Sequence, residues 1–442
     1  MKISLSDHFT YRKLIRFTMP SILMMIFTSV YSVVDGFFVS TFAGKTPFAA
    51  VNFIMPFLIM LGALGFMFGA GGSALVAKTL GEGDSHRANR IFSLVIYASM
   101  IVGVVLAVLG ILFIRPVAVW LGAEGQLLED AVVYGRIILA ALPFFMLQME
   151  FQSFFITAEK PNLGLFTTVI AGVANMVLDA LLVGVFSMGL VGAAVATGIS
   201  QLLGGAIPVF YFLRPNKSLL RLGGTEFDGG VLLKTCTNGS SELMSNISMS
   251  LVGMIYNFQL LKYAGEDGVA AYGVLMYVSL VFAAIFIGYS IGTAPVIGYH
   301  YGAQNHDELK SLLRKSVWII GISSIFMVLA ALLLSSPLST LFVGYDEVLL
   351  AMTKQGFLIY SLAFLFMGYA IFSSGFFTAL NDGVTSAIIS FLRTVVFQVA
   401  AVILLPMLWE LDGIWWSIVV AEGMAVAVSA LFLVGKRKKY HY

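Results

Sequence analysis

The chain has 442 residues, 59% of them apolar and only 11% charged, with a formal net charge of +2 and a mean hydropathy of +0.96. That charge content is less than half that of an ordinary soluble domain, so a globular soluble protein is excluded and the chain belongs in lipid. The single cysteine, Cys236, rules out an intrachain disulfide.

A helix needs about 20 apolar residues to cross the hydrocarbon core, and the pattern predicts an all-α integral membrane protein with twelve spans. They fall near 15–42, 47–77, 91–114, 128–157, 162–185, 189–213, 234–262, 268–301, 315–335, 348–380, 384–408 and 413–434. No cleavable signal peptide is expected, since the first span follows a polar, basic N-terminus and has no small-residue cleavage site behind it. In helix 1, Pro20 removes a backbone hydrogen bond and is expected to kink the helix. Further along the same helix stands Asp35, in FTSVYSVVDGFFVSTFAG. Helix 4 carries Glu150 between Gln148 and Gln152, read as capping or inter-helix bonding near the cytoplasmic end.

Helix 5 holds Asn175 and Asp179, four residues apart and so on one face, and helix 6 holds Thr197. The polar, basic stretch 214–233 reads as a cytoplasmic linker between two lobes, 1–213 and 234–442. Helix 7 opens with NGSSELMSNISMS, where Glu242 and Asn246 suit a water-lined surface. Arg393 in helix 11 needs a buried partner, which Glu422 in helix 12 or Glu242 can supply; such a pair is expected to be structural.

With a cytoplasmic N-terminus, 19 Lys and Arg residues fall on the inner side and five outside (Lys45, Arg115, Arg136, Lys262, Lys354), Arg393 lying within a span. The inner set includes Lys2, Lys160, Arg16 and the terminal run Lys436 to Lys439. The positive-inside rule therefore places both termini in the cytoplasm with an even number of crossings. The chain also repeats. Gly81 pairs with Gly302, Thr157 with Thr378 and Gly192 with Gly413, each at an offset of 221. Two parallel six-helix repeats place a substrate site between bundles.

The repeat fails where the acids lie. Asp35 falls opposite Tyr256, Asn175 opposite Val396, Asp179 opposite Ala400 and Thr197 opposite Ile418. At 1.5 Å per residue Asp35, Asp179 and Thr197 lie roughly 9 to 12 Å below the outer surface, in one layer, with Asn175 one turn from Asp179 on the same face. A carboxylate at the bilayer centre costs about 2.5 to 3.5 kcal/mol and usually serves an ion or substrate. Two carboxylates, an amide oxygen and a hydroxyl suit a hard cation such as Na⁺. The same pair can instead carry H⁺, because desolvation and a second carboxylate both favour the protonated form.

The segments YSVVDGFFV (31–39), NMVLD (175–179), GLVGAAVATGISQ (189–201) and FFTALNDGVTSAIISFLRTVVFQVAAVILLP (376–406) resemble the multidrug and toxic compound extrusion (MATE) transporters, nearest the DinF-like and MepA-like prokaryotic branch. The resemblance implies a V-shaped pair of six-helix bundles. It further implies an H⁺- or Na⁺-coupled antiporter that exports amphipathic, often cationic drugs or metabolites by rocker-switch alternating access. Cation coupling then falls to Asp35, Asn175, Asp179 and Thr197, although Ala180 stands where family members more often have proline after the helix 5 aspartate. Met24, Phe27, Tyr31, Phe53 and Met176, with Glu242 and Asn246, are candidates for the substrate cavity. In another branch a helix 7 glutamate works with a helix 10 acid, but 356–380 contains neither Asp nor Glu.

A lipid-linked-precursor flippase of the same superfamily is the alternative, as is a channel; the flippase wants a strongly basic cavity, and Arg393 is the lone base within a span. An enzyme is not expected, because no nucleophile–base or His–acid cluster emerges. GEGDSH and GGTEFDGG lack the Lys and Ser/Thr of a P-loop, so no nucleotide cofactor is expected and export must draw on an ion gradient. The expected partners are a small amphipathic or cationic substrate and the bilayer of a prokaryotic plasma membrane. Neither nucleic acid nor an obligatory protein partner is expected, and the chain is read as a monomer.

Overall fold

The computed structural model describes residues 3–442, apart from the side chains of Ser40 and Lys45. Lys2 and the Lys45 side chain, both counted in the charge balance, lie outside the described residues. The first half of the chain forms α1 (Tyr11–Ala43), α2 (Lys45–Gly81), α3 (Ser85–Trp120), α4 (Gly125–Thr157), α5 (Pro161–Val185) and α6 (Gly189–Leu213). The next helical run, Gly229–Gly302, is 74 residues long. Straight, it would stretch about 110 Å, more than three bilayer cores. Gly265 breaks it at φ 65°, ψ −153°, a conformation open to glycine because it has no Cβ. The run is therefore two helices, α7 (229–264) and α8 (266–302).

Then come α9 (His306–Val343), α10 (Glu347–Ala379) and α11 (Gly383–Leu404). The last run, Pro406–Tyr440, turns at Trp409 and Glu410, leaving α12 at 411–440. Among the described residues eleven apolar helical runs are long enough to cross a membrane, and the break at Gly265 makes twelve spans, the predicted fold class. Several helices outrun their apolar stretch. The span expected at 315–335 is the 38-residue α9, whose first turn is fixed by Asn305 accepting from the Glu308 N–H. Side-chain caps of this kind stabilise polar helix ends that hydropathy alone reads as loop.

Left-handed residues mark equivalent turns in the two halves. Gly44 and Gly265, Gly83 and Gln304, and Gly189 and Glu410 each lie 221 apart. Glu159 and Asn381, however, lie 222 apart. The expected pairing of Thr157 with Thr378 is thus one residue out, because α9 has 38 residues where α3 has 36, only partly offset by a shorter following turn. Asn175 and Asp179 consequently fall opposite Phe397 and Ala401, which are still apolar.

Two hydrophobic cores form, one from α1–α6 and one mainly from α7–α12. The N-terminal segment joins the second: Leu5 and Phe9 are fully buried in it. Glu159 accepts from the Leu5 N–H at 2.9 Å, and Glu308 accepts from the Phe9 N–H at 2.9 Å. Lys315 donates to the Phe9 carbonyl. In the turn before α11, burial works against the charge of Asp382, but donors from Lys436, Tyr440 and Thr385 hold its carboxyl at about 2. The tie to α12 is fully present above the ordinary carboxylate range and is lost as pH falls through about 2.

The two halves meet most closely at the ends of α2, α7 and α8. A Cβ added at Gly71 would stand 1.9 Å from the Thr235 carbonyl oxygen, and one at Gly239 would stand 1.9 Å from that of Met67. One added at Gly302 would lie 2.0 Å from the Lys78 carbonyl oxygen. Backbone cannot step aside for a methyl group, so Gly71→Val is expected to push α2 from α7, at the cost of about 1–3 kcal/mol or more typical of overpacking. The check is the thermal midpoint of the purified variant together with disulfide cross-linking between cysteines on α2 and α7, both of which should fall.

Candidate functional site

The four predicted coupling residues come together in the first half. α1 and α5 approach closely at Gly172, where an added Cβ would lie 2.4 Å from the Phe27 ring and 2.9 Å from that of Tyr31. One turn beyond Tyr31 is Asp35. The Ser200 hydroxyl donates to the Ala171 carbonyl at 2.7 Å and fastens α6 to α5. That holds Thr197 opposite Asn175, whose Nδ2 donates to the Thr197 hydroxyl at 3.4 Å.

The regular turn of α5 ends at Leu178, and Asp179 opens a wider π-helical stretch to Val185. Such bulges re-aim side chains and recur at functional sites. The Asp179 N–H donates to the Asn175 and Met176 carbonyls, so the chain stays hydrogen-bonded up to this residue. The Asp179 carboxyl lies beside that of Asp35. Asp179 is fully buried and Asn175 is 2% exposed. Oδ1 of Asp35 and both carboxyl oxygens of Asp179 have no donor among the described residues.

A fifth residue completes the group. Tyr134 of α4 is 1% exposed, and its hydroxyl lies close to Thr197 and to both carboxyls. Sequence reasoning missed it. Its depth, roughly 14 Å below the outer end of α4 at 1.5 Å per residue, was the available signal. The Tyr31 hydroxyl likewise reaches Gln148 of α4. Because Tyr134 offers the site one neutral hydroxyl, Tyr134→Phe is expected to slow gradient-driven transport a few-fold without abolishing it, as measured by initial rates in proteoliposomes.

The other predicted residues are dispersed. Met24 is 1% exposed and packed away from any open wall. Phe27 and Tyr31 face α5 inside the first half, with ring centroids 6.0 Å apart. Phe53 packs against the first core, and Met176 is half-buried beside Asn175. Asn246 donates to the Glu242 carbonyl one turn back at 2.8 Å, and the half-buried Glu242 side chain lies in the field of Arg393. Arg393 donates from Nε to both oxygens of the fully buried Glu422, at 3.0 and 2.9 Å. Glu150 is fully buried in mid-helix, near Ser99 of α3, so it caps nothing. α1 runs as one continuous helix through Pro20, which is buried, and α8 presses on this stretch: a Cβ at Gly292 would lie 2.3 Å from the Ser21 hydroxyl.

Twelve apolar crossings in two repeated halves, with a carboxyl pair inside one of them, are the architecture of a multi-pass membrane transporter. The MatE family profile matches residues 20–181 and again 243–404. The chain belongs to this family, the multidrug and toxic compound extrusion transporters, which are cation-coupled. It is 24% identical over 433 residues to the multidrug export protein MepA of Staphylococcus saprophyticus and 25% identical over 434 residues to that of Staphylococcus haemolyticus. Each match covers 96% of this chain and 93% of the relative. Among solved structures, a MATE protein in complex with MaL6 superposes with a TM-score of 0.93 at 22% identity, covering 98% of both chains. The outward-facing conformation of a multidrug resistance MATE transporter gives 0.92 at 22% identity, covering 98% of this chain and 97% of that one.

Proposed function

We propose that this protein is a proton-coupled antiporter that exports bulky, amphipathic, often cationic compounds from the cytoplasm by rocker-switch alternating access. In this reading 1–213 and 234–442 are the rocking lobes, 214–233 is their cytoplasmic linker, and the membrane is the plasma membrane of a prokaryote. The observation that carries it is the Asp35–Asp179 pair: a fully buried carboxyl beside a half-buried one, with three of their four oxygens lacking a donor among the described residues. Two such groups cannot both stay ionised in a low-dielectric interior, so the pair must take up a proton or another cation. A shared proton satisfies the contact directly. The relatives' names, multidrug export proteins, support the substrate class. The close glycine contacts of α2 with α7 and α8 support reading this arrangement as closed towards the cytoplasm.

Na⁺ is the second reading, favoured by the oxygens of Asn175, Thr197 and Tyr134 around the pair. Efflux of a fluorescent lipophilic cation from proteoliposomes separates the two. An inward proton gradient at constant Na⁺ should drive efflux. Efflux driven by a Na⁺ gradient at clamped pH would assign the site to Na⁺ instead, and the absence of any gradient dependence would remove the antiport reading.

A further inference from the structure

A cavity of about 810 Å³ opens between the cytoplasmic ends of α1, α5 and α6, remote from the carboxyl pair. Arg16 and Lys160 line it together with Phe17, Leu163, Phe166 and Tyr211. Neither cation has an ion-pair or hydrogen-bond partner among the described residues. Their neighbours account for the other charges: Lys13 pairs with Asp7 at 2.7 Å, and the one carboxylate in the lining, Glu159, is engaged by the Ser4 hydroxyl and the Leu5 N–H. The lining thus carries two cations against one carboxylate, a net positive charge, beside the apolar side chains of Phe17, Leu163 and Phe166.

Position along the helices tells what fits. Arg16 lies in the second turn of α1, Lys160 caps the start of α5, and Tyr211 lies in the last turn of α6, all at the membrane surface that the charge balance makes cytoplasmic. Phe166 is 60% exposed and Phe210, beside Tyr211, is 62% exposed; in a bilayer these rings face acyl chains. The volume is several times that of a phosphate group alone, and a soluble anion would leave the apolar wall uncovered. We infer that this cavity is a binding site for the headgroup and first acyl carbons of an anionic phospholipid of the cytoplasmic leaflet. Basic pockets between helices on that side are suited to such headgroups. The inference rests on the cytoplasmic orientation of the N-terminus and not on the identity of the coupling ion.

The site sits where helix movement would be felt. α1 carries Asp35 at its other end, and the cavity joins α1 to α5, which carries Asp179. A lipid bridging Arg16 and Lys160 holds these two helices together at their cytoplasmic ends.

The test is native mass spectrometry of the full-length protein released from an equimolar phosphatidylcholine and phosphatidylglycerol mixture. The wild type should retain phosphatidylglycerol in preference. Near an anionic surface each cation contributes roughly a fivefold preference, so Arg16→Gln with Lys160→Gln should lose about thirtyfold. Arg16 is exposed and the half-buried Lys160 has no side-chain partner among the described residues, so the variant should keep the thermal midpoint of the wild type. A control with Arg12→Gln and Lys217→Gln, cytoplasmic cations outside the cavity, should keep the preference. Equal loss in the control would show general surface attraction and overturn the site, as would full retention by the double variant. Displacement of the lipid by millimolar glycerol 3-phosphate would overturn the lipid assignment in favour of a soluble phosphate.

Discussion

Asp179→Asn is expected to abolish gradient-driven export while the protein inserts and folds normally. Asparagine keeps the size and hydrogen-bonding shape of aspartate but cannot take up or release a proton. Asp35 would then face an amide, and the pair could no longer change charge between the two sides of the membrane. Folding should survive, because the amide that replaces the carboxyl can donate to Asp35 in place of the shared proton. The measurement is efflux of a fluorescent cation from proteoliposomes under a proton gradient, beside the thermal midpoint of the purified variant. A drop of two orders of magnitude or more with an unchanged midpoint is the expected result. Near wild-type export would remove this pair from the coupling mechanism. Asp35→Asn should be similarly damaging and Thr197→Ala milder, since threonine offers a single neutral oxygen.

Arg393→Ala is expected to destabilise the second half severely. Glu422 is fully buried and both of its oxygens depend on the Arg393 Nε. Breaking a buried pair by removing one partner typically costs about 3–5 kcal/mol, because the remaining charge is left without compensation. The variant should give a markedly lower thermal midpoint and poor yield from membranes. The double replacement Arg393→Leu with Glu422→Leu should recover much of the loss, since apolar substitution of both partners is often neutral or better. A single variant as stable as the wild type would show that Glu422 finds another donor or is protonated.

The location of the acids was legible in the sequence because charge in an apolar run has no ordinary explanation. Asp35, Asp179 and Thr197 could also be placed in one layer from the helical rise alone. What sequence could not supply was contact between helices. Asp35 reaches Asp179 because Gly172 lets the Phe27 and Tyr31 rings nest on α5, and Ser200 fastens α6 beside it. Glycine and serine in apolar helices are too common to single these two out. Tyr134 was missed for a related reason: an aromatic residue within an apolar span reads as packing until its hydroxyl is seen to meet Thr197.

The twelve spans followed from hydropathy, but the helix lengths did not. A capped polar turn extends α9 at its N-terminal end, and the helix runs on through SPLSTLFV to Val343 at the other. The extra length moves the repeat register from 221 to 222 at Glu159 and Asn381. The N-terminal segment misled in the opposite direction. SLSDHF has the polarity of a solvated tail, yet Glu159 and Glu308 bind its backbone and bury Leu5 and Phe9. Both acids lie far away in sequence, so no local pattern announces the contact.

The central claim is that the carboxyl pair couples cation uptake to substrate release. A ligand shifts a conformational balance only through its differential affinity for the two states, and linkage makes the coupling between proton and substrate reciprocal. The most direct test is a binding titration of a fluorescent cation to the purified protein across pH, at fixed Na⁺, for the wild type and Asp179→Asn. Acidification should weaken substrate binding to the wild type and leave binding to the variant nearly unchanged. Wild-type affinity that is the same at every pH and every Na⁺ concentration would contradict the claim.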